Sequence, residues 1–143
     1  MAFCERLSEQ LAVVATIDPQ VGASAAVTSD VVSMVNHRRA LFILSKGGGS
    51  AGVLVNIQEA NAGFTAGTAT ILTRAAAATM APNMQYLFEV TAEALADGNT
   101  ALRAICTPVT TDLLSLVVLA DVIRYHPASD YDLASVVAIQ VAN

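Results

Sequence analysis

The chain has 143 residues, enough for one domain that buries a sizeable core without disulfide or metal staples. Apolar residues make up 55% and charged residues 13%, about half the usual share of ~25%, which leaves a solitary monomer short of charge to cover its surface. The net charge of −5 and the single lysine, Lys46, argue against phosphate neutralisation and hence nucleic-acid binding; the one basic pair is Arg38–Arg39, beside His37.

The N-terminal segment has no basic n-region of a secretion signal, and Glu5 and Glu9 lie where positive charge would be expected. Phe3, Leu7, Leu11 and Val14 fall at helical spacing, whereas Leu11 to Ile17 is also rich in β-formers, so a short helix and an edge strand or arm both fit. Asp18-Pro19 is expected to stop any regular element, and Val21 to Ser29 reads as a loop. Val31 to Val35 is the first short β candidate. Ala40 to Ser45, apolar on both faces, is expected to be a central strand. Gly47-Gly48-Gly49-Ser50 reads as a turn. Val53, Val55 and Ile57 alternate with Leu54, Asn56 and Gln58, so a β-hairpin around the glycines is expected.

Asn61 to Gly67 reads as a loop, Ala69 to Thr73 as a strand, and Arg74 to Met80 is ambiguous. After a break at Pro82-Asn83, Gln85 to Thr91 sets Tyr86, Phe88 and Val90 against Leu87, Glu89 and Thr91. Glu93 to Ala96 reads as a helical turn, and Ala101 to Thr107 as a strand ended by Pro108. Leu113 to Ile123 is the longest β candidate and should lie in the core. Its apolar run, Leu113 to Ala120, is bracketed by Asp112 and Asp121 and is far short of the ~20 residues a membrane-spanning helix needs. After Tyr125, a turn-like His126-Pro127-Ala128-Ser129-Asp130 leads into a weakly apolar tail.

About seven or eight short strands with brief helical patches predict a mainly β fold: an antiparallel β-sandwich or barrel-like domain with short helical turns and extended terminal arms. Residues 1–143 read as a single domain: an N-terminal arm or short helix over 1–20, a sandwich core over 30–125, and a C-terminal tail over 126–143.

No catalytic residue, cofactor site or metal site is expected. His37 and His126 sit in no HxxxH or HExxH spacing and there is no CxxC, so both read as surface or interface histidines. The glycine run differs from a phosphate-binding loop because Lys46 precedes the glycines and a strand follows them. Ser50 lies outside a nucleophile motif, and Cys4 and Cys106 are expected to stay reduced and unjoined in a cytosolic compartment. Glu89 and Glu93 would approach only on a helix, which the alternation opposes. Tyr86 and Phe88 read as core packing rather than a ligand platform. The cations Arg38, Arg39, Arg103 and Arg124 admit two readings. They solvate strand ends and pair with nearby acids, or they anchor salt bridges between subunits.

Several motifs carry a family resemblance. They are Val14-Ala15-Thr16-Ile17-Asp18-Pro19, Ser29-Asp30-Val31-Val32-Ser33-Met34, His37-Arg38-Arg39-Ala40-Leu41-Phe42, Val55-Asn56-Ile57-Gln58-Glu59-Ala60, Leu102-Arg103-Ala104 and Asp121-Val122-Ile123-Arg124-Tyr125. In these, from about Leu11 to Tyr125, the chain resembles the small capsid-associated cement or decoration proteins of tailed bacteriophages. The resemblance implies a structural virion protein on the capsid exterior, assembled in the host bacterial cytoplasm, with the major capsid protein as partner. Sequences of this kind also occur among phage neck and tail components. A homotrimer is expected, because closed symmetry buries apolar patches and a trimer matches the three-fold positions of a shell. Arg38, Arg39, Arg103, Arg124, Tyr125 and His126 are the candidate interface residues. The alternative is a ligand-binding β domain with a sandwich cleft, which the scarcity of aromatic residues disfavours.

Overall fold

The computed structural model describes residues 10–22, 24–48, 53–64, 70–71, 78–108 and 112–121. They form ten strands: β1 (Leu11–Val21), β2 (Val27–Thr28), β3 (Val32–Ser33), β4 (Arg39–Lys46), β5 (Val53–Ala60), β6 (Thr70–Ile71), β7 (Ala78–Met80), β8 (Met84–Thr91), β9 (Ala101–Pro108) and β10 (Leu113–Asp121). A single 3₁₀ turn at Ala92–Ala94 follows β8.

Two antiparallel sheets face each other. Sheet A has the order β1-β10-β4-β8. Sheet B runs β2-β9-β5-β6, with β3 also on β9 and β7 also on β5. β2 and β3 lie end to end along β9, against Ile105–Cys106 and Ala101–Leu102. β6 and β7 do the same along β5. Each sheet is therefore four positions wide. Apart from the step from β5 to β6, each connection between successive positions crosses from one sheet to the other. This is the connectivity of a jelly roll. The mainly β, antiparallel sandwich expected from the sequence is the fold observed.

Alternation builds the core. Phe42 and Leu44 of β4, Leu116 and Val118 of β10, Val55 and Ile57 of β5, and Ala104 and Cys106 of β9 all point between the sheets and are buried. Period-two patterning places every second residue on one face, so these strands could register in no other phase without exposing the set. Tyr86 and Phe88 stack at 6.2 Å against this core, as their alternation predicts. Ser29 bridges the gap between β2 and β3: its N–H donates to Ala104 O at 2.9 Å, and its Oγ accepts from Ala104 N–H at 3.0 Å. A side chain thus replaces a missing rung of the sheet.

Four expectations change. The sandwich does not begin at residue 30: Leu11 to Val21 supplies β1, so for this stretch the edge-strand reading of the N-terminal segment holds and the helix and the free arm do not. β1 also runs through Asp18-Pro19 rather than stopping. It is an edge strand with register shifts between Val13 and Ala15 and between Ile17 and Gln20, where a proline without an N–H is tolerated. No hairpin forms around the glycines, because β4 pairs with β10 and β8 whereas β5 pairs with β9, β6 and β7. Val31 to Val35 supplies only the two-residue β3.

Candidate functional site

The outward face of sheet A carries an apolar band centred on β10 and β4. Thr16, Val117, Ile43 and Leu87 form one cross-strand row, and Val13, Leu119, Leu41 and Glu89 the next. Leu87 is 59% exposed, Leu113 49% and Val117 38%. The face exists because β4 and β10 are apolar at outward as well as inward positions, which is why both read as central strands. The band is flanked by Ser115, Ser45 and Gln85 on one side and a charged cluster on the other.

That cluster is organised by Asp121, the last residue of β10. Its Oδ1 accepts from Arg38 N–H at 2.9 Å and Arg39 N–H at 2.7 Å. Its Oδ2 lies 3.5 Å from Arg39 Nε, and its backbone oxygen accepts from His37 Nδ1 at 2.7 Å. Arg39 also reaches Glu89 at 3.7 Å. His37 is buried, not a surface histidine, because this bond draws its ring under the start of β4. Arg39 pairs with nearby acids, as the plainer of its two readings has it.

Arg103 lies on the other sheet. Its Nε donates to Gln58 Oε1 at 2.9 Å, and its guanidinium stands 4.4 Å over the Phe64 ring, a cation–π geometry. Arg39 and Arg103 therefore serve opposite faces and build no joint site. Arg124, Tyr125 and His126 lie outside the described residues, as does Cys4. Among the described residues no group of three or more His, Cys, Asp or Glu side chains could hold a metal ion, and no helix is long and apolar enough to cross a membrane. Cys106 is a buried free thiol.

Sequence reasoning missed a second feature. Lys46 Nζ lies 3.1 Å from Asp112 Oδ1, and both side chains are 0% exposed. Lys46 is the inward residue at the end of β4, opposite Leu114, and Asp112 lies two residues earlier on the same inward phase. Apart from this ion-pair contact, Lys46 Nζ and both Asp112 carboxylate oxygens have no hydrogen-bond partner among the described residues. Two dehydrated charges without supporting hydrogen bonds make an expensive arrangement. Backbone bonds fix it: Gly47 N–H donates to Leu113 O at 2.8 Å, and Gly22 N–H to Asp112 O at 2.7 Å. A side chain at Gly22 would collide with the Pro108 ring, 2.3 Å from an added Cβ. The signals were present in the sequence, as one lysine at the end of an apolar strand and an aspartate opening another, but nothing in it paired them.

No protein-family model and no curated protein matches the chain. A solved structure from work on Bacillus endospore appendages, described as a novel family of disulfide-linked pili, is similar in outline. The TM-score is 0.46 at 11% sequence identity, covering 87% of this chain and 98% of that one.

Proposed function

We propose that the protein is a non-enzymatic structural subunit that packs against other protein subunits through the outward face of sheet A. The apolar band of Val13, Leu41, Ile43, Leu87, Val117 and Leu119 carries this reading. Leu87 and Val117 are exposed and Val13, Leu41, Ile43 and Leu119 are half-buried, so the rows present a connected apolar strip that a partner could cover.

Size refines the reading. Four strands about 4.8 Å apart and two side-chain rows about 7 Å apart give a patch of roughly 300 Å². A stable pairwise interface needs about 800 Å² from each partner. The band alone is too small for a lasting dimer, but it suffices where many copies engage a shared scaffold and avidity multiplies modest contacts. A repetitive assembly fits this arithmetic better than an isolated pair.

The sequence resemblance supplies a setting: the outer surface of a tailed-phage capsid, with the major capsid protein as partner and a homotrimer as the attaching unit. Jelly rolls serve capsid proteins, lectins and cupins alike, so the fold does not choose among these roles. Light scattering on concentrated protein is expected to give a trimer. The protein is also expected to co-purify with phage particles at fixed copy number. A monomer that is absent from particles refutes the capsid reading.

A further inference from the structure

The Lys46–Asp112 pair has the features of a covalent cross-link rather than of an ion pair kept for stability. Its side chains are fully buried, Lys46 Nζ lies 3.1 Å from Asp112 Oδ1 and so beside the carboxyl group, and its polar atoms lack other partners among the described residues. Full burial disfavours two opposite charges held without supporting hydrogen bonds, and a neutral amide removes both. We infer that Lys46 and Asp112 are joined by an intramolecular isopeptide bond between Nζ and Cγ.

The step balances without an oxidant or a co-reactant. A proton passes from the Lys46 ammonium to the Asp112 carboxylate, giving a neutral amine and a carboxylic acid. The Nζ lone pair attacks Cγ and forms the Nζ–Cγ bond. The Cγ–O bond to the protonated oxygen breaks, and that hydroxyl leaves with a proton from Nζ as one water. The total charge of the pair is zero before and after.

Geometry supplies what the reaction needs from the protein. Nζ is held beside the carboxyl group by strands whose backbones are bonded to each other, through Gly47 to Leu113 and Leu113 to Gly48. Fixed approach of two groups makes an intermolecular reaction effectively unimolecular. Gly22 and Pro108 close over Asp112, where any larger residue than glycine would force them apart. The bond would tie the end of β4 to the start of β10 across the long loop between residues 46 and 112. A cross-link of that kind stabilises chiefly by restricting the unfolded chain.

This inference is independent of the assembly reading, since it concerns one chain alone. Lys46 is the only lysine, which makes the test clean. The intact mass of purified wild-type protein is expected to fall short of the sequence mass by one water. Protease digestion should yield a branched peptide joining the Lys46 and Asp112 segments. An amine-directed reagent applied to the denatured protein should leave Lys46 unlabelled. Lys46→Arg and Asp112→Ala are expected to restore the full mass and, where they fold, to lower the melting temperature. A wild-type protein of full mass, with Lys46 labelled after unfolding, overturns the inference. So does a mass short by one water in which every peptide is linear, since the loss then lies elsewhere.

Discussion

At the scale of single residues, burial decides chemistry. Cys106 faces the core from β9, and desolvation pushes its thiol from 9.0 up to about 12. The thiolate is the reactive form, so this thiol is inert in the folded protein. The pH dependence follows in sign. Below 9.0 the thiol is neutral in folded and unfolded chains, and its contribution to stability is fully present. Between 9.0 and about 12 the unfolded chain releases a proton that the folded chain keeps, so stability falls as pH rises. Urea unfolding midpoints should decline across that window more steeply for wild type than for Cys106→Ala. Equal slopes would show that Cys106 does not titrate on unfolding. Lys46 and Asp112 teach a complementary lesson about legibility: each was visible as an isolated charge in an apolar neighbourhood, and only the fold made them neighbours.

At the scale of elements, the strands were legible and their partners were not. Alternation in β5 and β8 and two-faced apolarity in β4 follow from residue order alone, and the structure places the buried and exposed sides accordingly. Pairing was opaque because in a jelly roll consecutive strands rarely neighbour each other, so the hairpin suggested by Gly47-Gly48 had no local signal against it. The two aspartates flanking the Leu113–Ala120 run read as mere boundaries, yet Asp121 fixes the start of β4 from the end of β10. Hydrogen bonds to a charged acceptor contribute about 1.5–3 kcal/mol each when desolvated, less at a partly open site. Asp121→Ala should therefore destabilise the fold by about 1–3 kcal/mol in urea titration. Arg39→Ala, which removes only exposed ion pairs, should cost under about 1 kcal/mol. An Asp121→Ala loss no greater than that of Arg39→Ala would show that the two backbone bonds are not what Asp121 contributes.

At the scale of the whole molecule, the deficit of charge noted in the composition is resolved as a location. Part of it lies on sheet A, where the outward side carries Leu87, Leu113 and Val117 while the interior is already filled, and part lies by sheet B, at Leu54 and at Val31 and Val35 on either side of β3. An apolar face on a strand's second side contributes to folding only through its cross-strand pairs, about 0.2–1 kcal/mol each, since core packing uses the first. Glutamate at an exposed position on that face should cost no more than about 1 kcal/mol of stability, the scale of strand propensity and one cross-strand pair. It should oppose association strongly, because docking would bury a charge without a partner. Leu87→Glu, on the edge strand β8, and Val117→Glu, on the central strand β10, probe the face at two points of one cross-strand row. Both variants should keep the wild-type circular dichroism, with urea midpoints lowered only slightly, while reducing attachment to particles, where many weak contacts act together. Arg103→Glu on sheet B, whose side chain is engaged with Gln58 and Phe64, serves as the opposite-face control and should leave association intact. If the two sheet A variants assemble as wild type does while the Arg103 variant does not, the contact surface lies on sheet B and the band on sheet A has another use.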